Sequence, residues 1–174
     1  SREMLQQDRQ LRAIAQRLEK KLLQTFGEMR DKEHEKYEQF FENFGTQLKY
    51  GVYDNFGADK DKLMDLLLYY SGTTESMTTL SDYISRMTDD QKYIYYAAGE
   101  SKGKIQMMPQ MDLFKDKGYE VLYCTDNIDE FAFMAMREYE GKEFKNISDK
   151  DLGFERTDEE IKAQEDKNEA AKDT

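Results

Sequence analysis

The sequence is poor in the residues that most often carry catalytic and redox chemistry. Of its 174 residues one is cysteine, one is histidine and one is proline, and none is tryptophan. The single cysteine, Cys124, excludes a disulfide within the chain and fits a reducing, cytoplasmic setting. The only histidine, His34, is flanked by charged residues, so we expect a solvated side chain and no Ser–His–Asp triad. The near absence of proline predicts long helices.

Long apolar runs are also missing. No stretch approaches the roughly 18 apolar residues that a membrane span needs, and no signal peptide is visible. The net charge of −11 argues against nucleic acid or an anionic membrane as the main partner. The opening residues, Ser1 to Met4, are expected to lie inside a longer protein.

What the sequence does contain is a strand–helix–strand–helix pattern over residues 91–133. Two short apolar and aromatic runs, 93–98 and 119–124, have the length of buried strands. The span between them carries four apolar residues on one helical face: Ile105, Met108, Met111 and Phe114. A further helix is predicted over 128–136. Strands separated in this way are typically parallel and joined by a right-handed crossover.

Helices dominate the sequence before this pattern. Residues 3–26 predict one long helix with an apolar stripe, which Gly27 is expected to end. Residues 28–66 predict three short helices separated by glycines, with an aromatic stripe that is expected to be core. At the other end, residues 155–174 are rich in charge and predict a disordered segment or a solvated helix.

These elements together predict an α/β fold. A third strand over 67–70 and a helix capped by Thr79 or Ser81 precede the central pattern. The prediction is a long helix plus a small helical coil, followed by a three-layer α/β/α sandwich with a short, mostly parallel sheet.

Evidence for catalysis is thin when the residues are considered alone. Gly99 and Gly103 do not form a glycine-rich phosphate loop. Asp126 and Asp129 follow a strand at its carboxyl end, where open α/β sheets bind ligands, and could form a magnesium site. The favoured interpretation is helix capping by Asp126, with Asp129 and Glu130 in the first turn. A free-standing magnesium-dependent α/β enzyme and a purely structural helical scaffold stay open as alternatives.

Several motifs in one order resemble the ninety-kilodalton heat-shock chaperones, the heat-shock protein 90 family, in its bacterial HtpG type. The residues that carry this resemblance are Ser1-Arg2-Glu3-Met4-Leu5-Gln6-Gln7, Leu80-Ser81-Asp82-Tyr83-Ile84-Ser85-Arg86-Met87, Gln91 with Ile94-Tyr95-Tyr96, Gly99-Glu100-Ser101, Gly118-Tyr119-Glu120-Val121-Leu122-Tyr123, Thr125-Asp126 with Ile128-Asp129-Glu130, and Thr157-Asp158-Glu159-Glu160. The resemblance covers essentially the whole chain. Asn127, where the family commonly has proline, and the methionine-rich helix at 101–113 depart from the pattern.

The resemblance implies a stress-response chaperone that binds and hydrolyses ATP with Mg²⁺ and remodels non-native client proteins. This chain would be the distal half of its middle domain: the end of the catalytic loop and a long bridging helix (1–27), a helical coil (28–66), an α/β/α subdomain (67–154) and a tail (155–174) leading to the C-terminal domain. The expected partners are clients, the protein's own ATPase domain, co-chaperones and a second copy joined through the C-terminal domain. The chain alone is expected neither to bind nor to hydrolyse ATP, and to need no cofactor or metal.

The resemblance also assigns site residues. Arg2 matches the arginine that reaches the ATP γ-phosphate in the assembled protein, and Gln6 matches the residue that supports the catalytic loop. Client contact is expected on the helix at 128–136, since its apolar residues cannot all face one narrow core stripe. The residues predicted to contribute are Phe131, Phe133, Met134 and Met136.

Overall fold

The computed structural model describes residues 2–172, and Ser1, Asp173 and Thr174 lie outside the described residues. Eight α-helices are α1 (Arg2–Lys32), α2 (His34–Gly57), α3 (Lys60–Leu63), α4 (Leu80–Arg86), α5 (Lys102–Gln106), α6 (Met111–Lys117), α7 (Asp129–Met136) and α8 (Asp158–Lys172). Six strands are β1 (Leu68–Ser71), β2 (Ser76–Thr79), β3 (Ile94–Ala98), β4 (Val121–Cys124), β5 (Glu138–Tyr139) and β6 (Lys142–Asn146). A 3₁₀ turn, Met64–Leu66, follows α3.

The strands form one mixed sheet in the order β2-β1-β4-β3-β6-β5. The predicted parallel pair β3–β4 is present, with Tyr95 opposite Val121 and Ala98 opposite Cys124. β6 also runs parallel to β3, whereas the pairs β1–β2, β1–β4 and β5–β6 are antiparallel. The α/β class is confirmed, but the expectation of a mostly parallel sheet is wrong.

The three strands that sequence patterning missed are β2, β5 and β6. β2 reads Ser-Met-Thr-Thr, a polar segment without the apolar run that marks a buried strand. β5 and β6 are joined through Glu140 and Gly141, both of which have positive φ (48° and 79°). Two such residues in succession make the tight turn that hairpins prefer. All three strands lie toward the edges of the sheet, where burial is incomplete and the apolar signal is weak.

Helices cover both faces of the sheet, so the predicted three layers are present. On one face, Tyr96, Leu122 and Cys124 pack with α2 and α7 in a cluster that includes Val52 and Phe133. The other face is a second cluster with α5 and α6, formed by Tyr95, Ala97, Val121, Tyr123, Ile105, Met111 and Phe114. Alternation along β3 and β4 divides their side chains between the two clusters.

The helical coil contains fewer breaks than the glycines predicted. α1 continues through Gly27 to Lys32, and α2 contains both Gly45 and Gly51. At Gly45 a Cβ atom would lie 2.6 Å from the Phe41 ring, so this glycine permits close packing rather than ending a helix. The expected stops at Gly27 and Gly45 are therefore wrong, whereas α2 does end at Gly57. α2 departs from helical geometry only at its end, where Asn55 and Phe56 have positive φ.

The predicted helix over 101–113 is also divided. α5 ends at Gln106 and α6 begins at Met111, with Pro109 between them. Proline lacks the backbone N–H and its ring clashes with the preceding turn, so a continuous helix is disfavoured there. The apolar positions that suggested one helix still reach the same cluster, because Ile105, Met111 and Phe114 are all buried in it.

The charged tail forms a helix. At its start Thr157 Oγ1 accepts a hydrogen bond from Glu160 N (3.2 Å), and Glu160 Oε2 accepts one from Thr157 N (2.8 Å). This reciprocal capping box holds the first turn. Lys117 and Asp112 of α6 make ion pairs with Glu160 and Lys167 of α8. Among residues 2–172, no helix combines the length and the apolar character that crossing a bilayer requires.

The Tyr83 hydroxyl makes three hydrogen bonds inside the core. It donates to Glu120 O (2.7 Å) and accepts from Gln91 Nε2 (2.8 Å) and Tyr95 N (3.0 Å). Glu120 in turn accepts from Arg86 Nε (2.9 Å) and Ser71 Oγ (3.0 Å). The network joins α4 to β1, to β3 and to Glu120, which directly precedes β4.

Tyr83→Phe is expected to lower the free energy of unfolding by about 2 to 3 kcal/mol, because it leaves buried donors and an acceptor without a partner. Tyr69→Phe is the matched control. Tyr69 is equally buried, but its hydroxyl has no hydrogen-bond partner among the described residues, so this variant should be as stable as the parent or slightly more so. Urea unfolding of both variants measures the difference, and equal stabilities would contradict the role of the network.

Candidate functional site

A buried lysine joins the helical coil to the end of the central strand. Lys49 of α2 is 6% exposed and lies beside the two aspartates that follow β4. Its Nζ is 2.8 Å from Asp126 Oδ2 and 2.7 Å from Asp129 Oδ1. The same Nζ lies over the rings of Tyr69 (5.2 Å) and Phe41 (5.8 Å). The ammonium group therefore has carboxylates on one side and aromatic faces on the other.

The predicted cap on α7 is not observed. Ile128 occupies the N-cap position and provides no side-chain hydrogen bond, whereas Asp126 binds Lys49. Asp129 Oδ2 accepts a hydrogen bond from Asp126 N (3.0 Å), so it is the first-turn aspartate that orders the loop before the helix. The capping interpretation of Asp126 is wrong because a tertiary ion pair takes its carboxylate.

Burial and charge act in opposite directions on the pKa values of Lys49 and Asp129. The two carboxylates hold Lys49 charged and raise its pKa, although its burial acts to lower it. Burial raises the pKa of Asp129, since one ammonium shared with Asp126 compensates only part of the desolvation. The cluster carries two carboxylates and one ammonium, and its stability depends on that ammonium.

The arrangement does not suit a magnesium ion. Lys49 stands between Asp126 and Asp129, at the position that a bridging cation would take. Mg²⁺ prefers an octahedron of oxygen ligands, and within residues 2–172 no group of three or more potential metal-binding side chains is gathered. The alternative of a magnesium-dependent enzyme at these aspartates therefore has no geometric support.

Lys49 was absent from the candidates drawn from the sequence. Its signal is its position on α2, where the buried residues are Tyr37, Phe41, Gly45, Lys49 and Val52. These fall at spacings of three and four, so Lys49 lies on the buried stripe rather than on the solvated face. A lysine on such a stripe needs a buried carboxylate nearby, which is the clue that could have paired it with Asp129.

α7 presents only part of its apolar surface. Phe131 and Met134 are 51% and 72% exposed, whereas Phe133 and Met136 are buried in the core. Phe133 stacks on Phe144 with ring centroids 4.3 Å apart. The structure therefore places Phe133 and Met136 in the core and not on the predicted contact surface. Sequence reasoning also missed Tyr53 of α2, which is 46% exposed and meets the Phe131 ring edge-on at 5.8 Å.

Arg2 and Gln6 lie at the opposite end of the chain's longest helix. Both are exposed in the first two turns of α1. The helix packs on α2 near its other end, where the Phe26 and Phe40 rings are 4.5 Å apart. At 1.5 Å per residue, about 36 Å of helix separates Arg2 from Phe26. The apolar stripe of this span is exposed, at Leu11, Ile14, Leu18 and Leu22.

The chain matches one protein family along its whole length. The family described as "Hsp90 protein" matches residues 1–174. The chaperone protein HtpG of Clostridium acetobutylicum is 52% identical over 168 residues, which are 97% of this chain and 27% of that protein. The HtpG of Halalkalibacterium halodurans is 53% identical over 155 residues, which are 89% of this chain and 25% of that protein. The chain thus spans about a quarter of the length of these relatives.

A solved structure shares the fold. The middle domain of a Plasmodium falciparum heat shock protein superposes with a TM-score of 0.72 at 30% sequence identity. The superposition covers 80% of this chain and 57% of that one. The match therefore extends over most of the chain rather than over one motif.

Lys49→Met is expected to lower the free energy of unfolding by about 3 to 5 kcal/mol, because it leaves the buried Asp129 carboxylate without its counter-charge. Lys62→Met is the matched control. Lys62 pairs with Glu19 and Asp59 on the surface, and its loss should leave the urea midpoint unchanged. Asp129→Asn in the Lys49→Met background should recover part of the loss. If the two lysine variants had equal urea midpoints, the buried ion pair of Lys49 would not contribute to the stability of the fold.

Proposed function

Since the chain belongs to the Hsp90 family of molecular chaperones, we propose that it acts as the distal half of the middle domain of an ATP-dependent chaperone that binds and remodels non-native proteins. The observation that carries this proposal is the exposed apolar face of α7, where Phe131 and Met134 stand out from the surface. The parent is proposed to be a cytoplasmic homodimer that dimerises through its C-terminal domain and works with co-chaperones.

The exposed stripe of α1 supports the role of a bridging helix. Four apolar side chains over three turns are each more than half exposed, which is costly for a helix in water. In the proposed parent they pack against the first half of the middle domain. The stripe lies on the span between the coil and the catalytic-loop motif, as a bridge between two subdomains requires.

Arg2 is proposed to contact the ATP γ-phosphate when the domains of the parent close. A guanidinium stays charged and offers a planar fork of donors, so it can stabilise charge that spreads over the phosphoryl oxygens in the transition state. Arg2 and Gln6 are one helical turn apart on an exposed helix end, so both can face an approaching domain. The ATP and Mg²⁺ would be held by that ATPase domain.

Client contact is proposed for Phe131 and Met134 of α7, joined by Tyr53 of α2. The three side chains are exposed and two of them touch, so they form one surface rather than isolated positions. Methionine and aromatic side chains adapt to varied apolar partners, which suits a chaperone that recognises many unfolded sequences.

In the full-length parent, Arg2→Ala should leave ATP binding nearly unchanged and lower turnover by an order of magnitude or more. Arginines supplied to phosphoryl transfer contribute about 10³-fold or more where they are the main stabiliser. Arg2→Lys should rescue turnover poorly, because a point charge does not reproduce the bidentate fork. Arg9→Ala, two turns along the same helix, is the control. If the Arg2→Ala variant hydrolysed ATP at the rate of the unmodified parent, the assignment of Arg2 would be wrong. Micromolar binding of ATP by the 174-residue chain alone would also contradict it.

Met134→Ser is expected to weaken binding of a reduced, unfolded protein to this chain several-fold, because it removes exposed apolar area from the proposed surface. Met107→Ser is the matched control, since Met107 is 85% exposed in the segment between α5 and α6. NMR shifts or crosslinks locate the contact. Equal losses in the two variants, or a client footprint that avoids α7, would favour a purely structural scaffold.

A further inference from the structure

The last helix, α8, is attached to the sheet domain by charge rather than by apolar packing. It contains 15 described residues, none of which is buried. Glu160 and Gln164 are half-buried, and Lys167 follows them on the same face of the helix. This face is entirely polar, so it gains nothing from hydrophobic burial. The position of α8 therefore depends on its ion pairs.

Two ion pairs hold α8 antiparallel to α6. Lys117 Nζ lies 3.6 Å from Glu160 Oε1, and Lys167 Nζ pairs with Asp112 Oδ2. Asp112 lies in the first turn of α6 and Lys117 in its last turn, so each charge also complements the dipole of its own helix. If α8 ran the other way, Asp112 would face Glu160 and Lys117 would face Lys167. The charges therefore favour one direction of docking.

The segment just before α8 is firmly held. Phe154 packs against the core cluster on the α5–α6 side of the sheet, and Lys117 Nζ lies 4.7 Å from the centre of its ring. Gly153 has a φ of 76°, and a Cβ atom there would lie 2.3 Å from the Tyr93 ring, so only glycine fits. Residues 155–157 alone separate this fixed point from α8. They form a short connection about which the helix can turn.

The interactions that stabilise α8 as a helix do not involve α6. Glu160 uses Oε2 for the capping box with Thr157 and Oε1 for Lys117, so the box stays intact when the ion pair breaks. Acidic residues fill the first turn and Lys172 lies in the last turn, which complements the helix dipole. All of these groups lie within residues 157–172. The segment can therefore leave α6 and remain a helix.

We propose that α8 is an electrostatic switch, which moves as one helix between a position docked on α6 and a free position, turning about residues 155–157. Ion pairs at a protein surface change an equilibrium by about 1.4- to 5-fold each, so two of them favour docking by only about 2- to 30-fold. Ionic strength can therefore shift this balance. The switch does not depend on the proposed function. In the proposed parent it would set the direction in which the chain leaves the sheet domain.

The test is a distance measurement by double electron–electron resonance on the 174-residue chain, with spin labels at Asp116→Cys in α6 and Glu169→Cys in α8. Cys124→Ala leaves only the two introduced thiols to be labelled. The distance should be short and narrowly distributed in dilute salt, and longer and broader in about 1 M NaCl, where the screening length falls to about 3 Å. The ¹³Cα chemical shifts of residues 158–172 should stay helical in both. An unchanged distance, or loss of the helical shifts, would overturn the proposal.

Charge reversals identify the residues of the switch. Lys167→Glu should populate the long distance already in dilute salt, because it places a like charge opposite Asp112. Adding Asp112→Lys exchanges the two charges and should restore the short distance. Lys162→Glu is the matched control, since it changes the net charge equally on the face of α8 opposite Glu160 and should leave the distance unchanged. If the two single reversals acted equally, or the double reversal did not restore docking, the assignment would be wrong.

Discussion

The buried Lys49 ammonium is the interaction on which the arrangement of the chain depends. It belongs to α2, but both of its carboxylate partners follow β4, so one group fastens the helical coil to the sheet. Burying the Lys49 ammonium without its carboxylate partners would cost several kcal/mol. This arrangement is therefore stable only when α2, β4 and α7 are all in place. The apolar contacts around it, which include Phe41 and Phe133, belong to the core cluster on that face of the sheet.

This constraint decides which residues α7 presents to solvent. Asp129 is the first residue of α7, and its two oxygens bind Lys49 and the backbone of Asp126. With the first turn held in this way, the residues three, four and seven positions after Asp129 face the core, and those two and five positions after it face solvent. Phe133 and Met136 turn inward and Phe131 and Met134 turn outward. An apolar helix thus acquires one exposed face without a polar pattern in its sequence.

The parts of the fold that were predicted are those whose signal is local. The β3–β4 pair, α4 with its Thr79 cap and α7 each follow from a short apolar run or a capping residue. The parts that were not predicted depend on distant partners. Gly45 resembles a helix stop until the Phe41 ring is placed against it, and β2 resembles a polar loop until β1 lies beside it. Lys49 is the same case at the site, since its partners lie 77 and 80 residues away in the chain.

The two proposed functional regions lie at opposite ends of one path of packed helices. Arg2 is at the free end of α1, whose other end is fixed to the coil by the Phe26–Phe40 rings and by Arg30, which donates to Asp65 O (2.8 Å). The coil continues as α2 to Tyr53, which touches Phe131. A helix resists bending far more than a loop does, so the direction of α1 is set by the coil. Whatever packs on the exposed stripe of α1 therefore acts through α1 on the coil that contains Tyr53. This is the physical basis on which the phosphate contact proposed for Arg2 would be linked to the client contact proposed for α7.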